Sequence, residues 1–302
     1  GSNPPFFCVH EFDGHAFYYR DLAMALGPTQ PFYGLRAQGL DGRAAPHTTV
    51  ADIAAHYVQT IRRLQPQGPY YIGGSSLGGT VAYEMAQQLL AAGQAVGVVV
   101  LFDTSSPGYR LLLDLPWQYR VRRVVDSVWR EGLRGLWRVA ARRASRLRLR
   151  SRHGIGRASD GPHIERAARA VAGDAIGTVV ANTLLDAAGA YRPHPTLAPM
   201  AFFESGDPDS KFFHVPVMTR EWIVQAGFAS RADAEALLAQ VAPLSWGALA
   251  QGGLEVYRVP GQHGWMMRGP DARATASVLA RCLAAARRRA RRRDDDVESV
   301  PA

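Results

Sequence analysis

A serine, an aspartate and a histidine stand along this 302-residue chain where together they could carry out acyl transfer through a covalent intermediate. Ser76 lies in Gly74-Ser75-Ser76-Leu77-Gly78, between an apolar run ending at Gly73 and the helical pattern Gly79-Thr80-Val81-Ala82-Tyr83-Glu84. This is the strand-turn-helix setting of a nucleophile elbow, in which small flanking residues let the backbone turn sharply and hold the serine hydroxyl clear at a helix N-terminus. The helix dipole there favours the negative charge of a tetrahedral intermediate. A serine hydroxyl is a weak nucleophile at neutral pH and needs a histidine base, itself oriented by a carboxylate. On such an elbow the acid and then the histidine follow the serine in the chain. Asp103 closes Leu101-Phe102-Asp103-Thr104, the strand after the elbow helix, at the carboxyl edge of the sheet where the elbow also lies. His263, in Val259-Pro260-Gly261-Gln262-His263-Gly264-Trp265, falls on a loop just after the last strand candidate. The bland alternatives are a glycine-rich turn at Ser76 and a turn-capping aspartate at Asp103.

An oxyanion hole in this arrangement takes one backbone N–H from the residue after the nucleophile, here Leu77. The other comes from the loop after the first strand, His10-Glu11-Phe12-Asp13-Gly14-His15, where the donor is the amide of Phe12 or its neighbour Glu11. His10 suits that loop because it precedes the serine. The remaining histidines, His15, His47, His56, His153, His163, His194 and His214, read as surface or packing residues. No two histidines have metal-like spacing with a nearby third ligand, so neither a metal nor a cofactor is expected.

The elements that must position these residues are legible as apolar runs alternating with amphipathic patterns. Strands are predicted at Pro5–His10, Pro31–Leu35, Tyr70–Gly73 and Val98–Phe102. Helices are predicted at Phe17–Leu26, Val50–Leu64 and Ser76–Ala92, the second with Ile53, Ala54, Tyr57, Val58 and Ile61 on one face. Continuous apolar strands separated by helices imply an α/β fold with a mostly parallel sheet covered by helices. After Pro107 the rhythm becomes helical, with Trp117, Val121, Val124, Trp129, Leu133 and Trp137 at helical spacing. Helical pattern resumes from Ile164 to Ala190. Strands return at Pro199–Glu204 and Leu254–Val259, and a last helix is predicted over Asp271–Arg287. The expected organisation is a core over 1–106, a helical lid insertion over 107–180, the rest of the core over 181–290 and a disordered tail over 291–302.

Composition sets the outer bounds. Apolar residues make up 47% and charged residues 20%, the profile of an ordinary globular protein. Two cysteines, Cys8 and Cys282, are too few for a disulfide framework, and arginine or glycine interrupts every long apolar stretch. Neither a membrane span nor a secretory signal is expected, and a cytoplasmic location follows as the default. Gly1-Ser2-Asn3 has the look of a cloning remnant, which predicts a domain cut from a longer chain. The formal charge of +9 rests almost wholly on arginine, since Lys211 is the only lysine among 35 basic residues. The arginines concentrate over Arg120–Arg157 and Arg287–Arg293. No helix-turn-helix spacing, zinc-finger pattern or aromatic RNA-binding signature accompanies them, so nucleic-acid binding is not expected.

The sequence resembles the thioesterase domains of nonribosomal peptide and polyketide synthases. Tyr70 to Gly79, then Val81-Ala82-Tyr83-Glu84-Met85-Ala86 and Leu101-Phe102-Asp103-Thr104, is similar to that family's elbow, helix and acid-bearing strand. Tyr18-Tyr19-Arg20-Asp21-Leu22, Tyr191-Arg192-Pro193, and Trp246 with Val259-Pro260-Gly261-Gln262-His263 extend the likeness. The resemblance implies an α/β-hydrolase fold and a substrate delivered on the phosphopantetheine arm of an acyl or peptidyl carrier protein. It also implies that Ser76 takes the acyl chain, with His263 as base then acid and Asp103 as orienter. Water or an internal nucleophile of the substrate then releases it, by hydrolysis or macrocyclisation, under the lid. A free-standing editing thioesterase, a lipase or esterase, and a hydrolase-fold module without activity are the competing readings. Arg142, Arg143 and Arg146 in the lid would meet an acidic carrier surface or simply be solvated. Two departures stand out: His10-Glu11-Phe12-Asp13-Gly14 where family members often carry His-Pro-x-Gly-Gly, and a longer segment between Gly206 and Pro243.

Overall fold

The computed structural model describes residues 1–108, 175–206, 217–225, 229 and 233–298. Among the described residues six strands form one sheet: β1 (Phe6–Val9), β2 (Phe32–Leu35), β3 (Tyr70–Ser75), β4 (Val96–Phe102), β5 (Met200–Ser205) and β6 (Leu254–Val259). Their order is β2-β1-β3-β4-β5-β6 and every neighbouring pair is parallel. The helices are α1 (Arg20–Leu26), α2 (Val50–Leu64), α3 (Leu77–Ala91), α4 (Ala175–Ala190), α5 (Arg220–Gln225), α6 (Ala234–Val241), α7 (Trp246–Leu249) and α8 (Gly269–Glu298).

The apolar runs become buried strands because helices cover both faces of the sheet. Along β1 the side chains alternate between two cores: Phe7 and Val9 join one, Phe6 and Cys8 the other. Strand β4 divides likewise, Val99 and Leu101 against Val98, Val100 and Phe102. The first core takes its helical partners from α2, α3, α4 and α7, the second from α1 and α8. Helix α2 spans the predicted residues with the predicted buried face, and the Thr49 hydroxyl caps it by accepting from the Asp52 N–H at 3.0 Å.

Chain direction decides where a site can form. From β1 the chain moves one way to β2 and then back past β1 to β3, so the loops leaving β1 and β3 diverge at the carboxyl edge. A crevice at such a switch point is where parallel α/β sheets bind ligands.

Several expectations shift. The segment from Phe17 begins as a 3₁₀ turn over Phe17–Tyr19 and becomes α-helical only at Arg20. Helix α3 starts at Leu77, with Ser76 as its cap rather than its first residue. The last helix passes the boundary at 291, where a disordered tail was expected, and continues to Glu298. Alanine and arginine are strong helix formers, and no glycine or proline interrupts them between Pro270 and Glu298. The segment between Gly206 and Pro243 carries α5 and α6, whose Ile223, Ala234, Leu237 and Val241 bury against Met218 and Ala229 as a small core of their own. Most of the expected lid, with Arg142, Arg143 and Arg146, lies outside the described residues; α4 runs across the boundary drawn at 180. Among the described residues no helix is long and apolar enough to cross a membrane.

Candidate active site

Strand β3 delivers Ser76. The register pairs Ser75 with Phe102, and the Ser76 N–H then donates to the Phe102 carbonyl at 3.1 Å, extending the β3–β4 ladder by one bond. At Ser76 the backbone turns sharply into α3, with φ 52° and ψ −116°. A non-glycine residue in that region is strained, at a cost of about 1–3 kcal/mol. The turn is possible because α3 lies almost on the end of β1: a Cβ on Gly78 would run into the carbonyls of Val9 and His10. Leu77, the first helical residue, follows the serine directly.

Asp103 comes off β4 beside it, also at positive φ (43°) and 1% exposed. Its N–H donates to the Phe203 carbonyl at 2.9 Å, and its Oδ1 accepts from the Ser205 N–H at 2.9 Å. Those two bonds orient the carboxylate toward the loop after β6. There His263 Nδ1 lies 3.4 Å from Asp103 Oδ2, with the imidazole largely sheltered. The Trp265 and Met266 N–H groups fold that loop back by donating to the Gln262 carbonyl. Fully buried Met266 and Met267 anchor it, and the Thr275 hydroxyl donates to the Met266 carbonyl at 2.6 Å. On the far side of Asp103, the Trp246 indole N–H donates to the Thr104 carbonyl at 2.7 Å.

The loop after β1 completes the constellation. The His10 N–H donates to the Leu35 carbonyl at 3.0 Å, and the Gly14 N–H closes a turn on the Glu11 carbonyl at 3.0 Å. Burial lowers the His10 pKa to about 4, so its ring is neutral near pH 7, with Nδ1 2.5 Å from the Glu11 carbonyl. Phe12, which follows, is buried. The candidate oxyanion residues Phe12 and Leu77 therefore sit on the loop after β1 and the helix after β3, on either side of the switch point.

The structure thus brings Asp103 and His263 face to face and stands Ser76 on the neighbouring strand end. It also shows polar partners that the sequence did not mark. The Glu11 side chain turns inward, and its Oε1 accepts from the buried Ser75 hydroxyl at 2.5 Å. Burial raises the Glu11 pKa, an effect opposed by the nearby His263 and by the Ser75 hydrogen bond. The Tyr19 hydroxyl donates to the Val9 carbonyl at 2.7 Å and accepts from the Ser75 N–H at 2.9 Å. The Arg268 guanidinium lies 4.2 Å over the Tyr18 ring. The available signal was the serine at Ser75 itself, a polar residue at a site buried on all sides, which demands a partner. Among the described residues no three histidine, cysteine or acidic side chains are grouped as a metal site requires.

Comparison with known proteins finds its sequence matches over the segment that carries Ser76 and Asp103. Residues 4–111 match the family model described as Thioesterase domain. Over that segment, the chain is similar to thioesterase domains. Malpibaldin synthetase of Mortierella alpina is 42% identical to this chain over 106 residues, which is 35% of the chain and 2% of that protein. A dimodular nonribosomal peptide synthase of Bacillus subtilis is 43% identical over 103 residues, 34% of the chain and 4% of that protein. The chain thus spans a few hundredths of the length of these relatives, which are multidomain synthetases. In fold the likeness is wider. The NocB thioesterase domain of the nocardicin cluster superposes with a TM-score of 0.55 at 22% identity, covering 93% of each chain. The chain therefore has the α/β-hydrolase fold, its parallel sheet carrying the turn at Ser76 at the carboxyl edge.

Proposed function

We propose that this chain releases an acyl, peptidyl or polyketide chain from the phosphopantetheine thiol of a carrier protein, through an ester on Ser76. The observation that carries the reading is the 3.4 Å approach of His263 Nδ1 to Asp103 Oδ2, made next to a strained serine elbow in a thioesterase segment. With Nδ1 turned to the aspartate, Nε2 is the nitrogen left to take the Ser76 proton. Attack of Ser76 Oγ on the thioester carbonyl forms the C–O bond, and the electron pair moves to the carbonyl oxygen. The amides of Leu77 and Phe12 receive that oxyanion. Collapse breaks the C–S bond, and His263 returns the proton to the departing thiolate. In the second half His263 deprotonates water or a nucleophile within the bound acyl chain, which attacks the ester and frees Ser76. Asp103 stabilises the imidazolium that forms in each half. No metal or cofactor of the protein's own enters, because the phosphopantetheine arm belongs to the carrier.

The Bacillus subtilis relative supports the carrier-bound substrate, since its name describes a nonribosomal peptide synthase. The test is intact-protein mass spectrometry after mixing the chain with acyl thioester mimics, with Ser76→Ala in parallel. An acyl adduct on the wild type alone is the expected result. An adduct on both proteins, or turnover that survives Ser76→Ala, overturns the mechanism. Turnover of small oxygen esters with none of thioesters would instead favour an esterase.

A further inference from the structure

Two polar side chains meet beneath the elbow, where the proposed mechanism does not use them. Ser75 is fully buried, and its hydroxyl donates to Glu11 Oε1 at 2.5 Å. That separation is short for a hydroxyl donor and falls in the range of a hydrogen bond to an ionised acceptor. Ser75 immediately precedes the nucleophile, and Glu11 immediately precedes Phe12. The bond therefore links, residue for residue, the strand end that turns into the elbow with the loop that carries the second oxyanion amide.

The surrounding contacts show why one more link matters. At Ser75 the main chain is already tied to β1, since the Tyr19 hydroxyl bridges the Ser75 N–H and the Val9 carbonyl. Helix α3 is held against the same strand end by the close approach at Gly78. Beyond Val9 the ties thin out: His10 is fastened to β2 through the Leu35 carbonyl, and the next backbone bond closes only locally, from Gly14 to Glu11. The stretch bearing Phe12 is thus anchored to the elbow by side chain, through Glu11 and Ser75.

We infer that Glu11 is a positioning residue of this site, fixing the loop after β1 to the elbow through Ser75 so that the amides of Phe12 and Leu77 converge on one oxygen. The inference rests on the serine mechanism proposed above. The hydrogen bond matters because oxyanion donors act through placement: one donor removed outright costs about 10²–10³ in turnover, and one merely loosened costs less. Glu11 also lies within electrostatic reach of His263 and Arg268 on one side and Asp13 on the other. A variant that keeps the acceptor but removes the charge separates the hydrogen bond from that field.

The experiment measures the rate of Ser76 acylation by a small acyl thioester, together with KM and the affinity for an aryl boronic acid, a mimic of the tetrahedral anion. Glu11→Ala and Ser75→Ala should each slow acylation by about tenfold and weaken boronate binding in step, with KM unchanged, a partial loss of the oxyanion effect. Joined in one protein they should cost little more than either alone, because both remove the same bond. Glu11→Gln, which still presents an oxygen to Ser75, should recover most of the rate. Wild-type acylation in both alanine variants would overturn the inference, as would losses that multiply in the double variant or a lowered Tm with unchanged boronate affinity. Should Glu11→Ala fail to fold, Ser75→Ala decides alone, and an unchanged rate there overturns the inference. If the wild type itself forms no adduct, the serine mechanism falls and takes this inference with it. A wild-type adduct with indifferent variants sinks the role of Glu11 only.

Discussion

The elbow side of the site and the histidine side are built on different principles. Ser76 and Leu77 are placed where the backbones of β1, β3 and α3 nearly touch, so that a single Cβ at Gly78 would collide with carbonyl oxygens. His263 is placed by a short loop with two local turns and a pair of buried methionines behind it. Many sequences can offer one side chain at the end of such a loop, whereas few can bring three backbones so close. The family match follows the same division, covering residues 4–111 and with them the elbow and Asp103, while His263 lies beyond it.

The largest expected effect lies where the two sides meet. Asp103→Asn keeps an acceptor for the Ser205 N–H but presents the wrong partner to His263 Nδ1, and should lower turnover of a thioester mimic by about 10⁴-fold. Loss of folding instead of turnover would show that Asp103 belongs to the scaffold, and circular dichroism alongside the assay tells the two apart.

The next pair tests the comparison directly. Gly78→Ala should destabilise the protein by about 3 kcal/mol, because backbone must move to admit the methyl group. Gly264→Ala, on the histidine side, should cost about 1 kcal/mol: its φ of 78° disfavours a side chain, but the nearest group is the Tyr18 hydroxyl rather than backbone. Urea denaturation measures both, and equal losses would erase the distinction. Smaller still is the relief of backbone strain at Ser76. Ser76→Gly should be about 1 kcal/mol more stable than Ser76→Ala, since both lose the hydroxyl and only glycine accepts φ 52° freely.

The loop after β1 adds a dependence on pH with opposite signs at neighbouring residues. His10 has its pKa lowered from 6.5 to about 4 by burial, so the unfolded chain takes up a proton that the folded one refuses. Stability from this residue is complete above 6.5 and is lost as pH falls toward 4. Glu11 is raised above 4.5 by burial, so its contribution is complete below 4.5 and declines as pH rises through the folded value. Denaturation midpoints across pH 4 to 8 should therefore show Glu11→Gln gaining on the wild type as pH rises, and His10→Gln gaining as it falls. Parallel curves for all three would contradict both assignments.

How much of this was legible in the sequence follows the same divide. Helix α2 and strand β6 stand at the predicted residues, because amphipathic period and flanking turn residues act locally. The places of Ser76, Asp103 and His263, each at or just beyond the end of a strand, were legible because each follows an apolar run. The inward turn of Glu11 was not, since a glutamate beside Asp13 and Gly14 reads as solvated loop, and the serine that holds it lies 64 residues away. The 3₁₀ start at Phe17 escaped for a similar reason. Tyr18 and Tyr19 keep helical spacing, yet Tyr19 answers to Val9 and Ser75 on distant strands. The last helix, predicted to end at Arg287, runs on to Glu298 through arginines of good helix propensity.

The Tyr19 hydroxyl has one more consequence, for how the elbow can be watched. It accepts from the Ser75 N–H and donates to the Val9 carbonyl, standing in for a rung between β1 and β3 at the place where the chain begins its turn at Ser76. That amide can exchange with deuterium only when the tyrosine lets go, so its protection against solvent hydrogen measures how often the elbow opens. In Tyr19→Phe the same amide should exchange faster while those deeper in β3 keep their pace. A single slow proton would then serve as a gauge of the readiness of Ser76, read without any substrate.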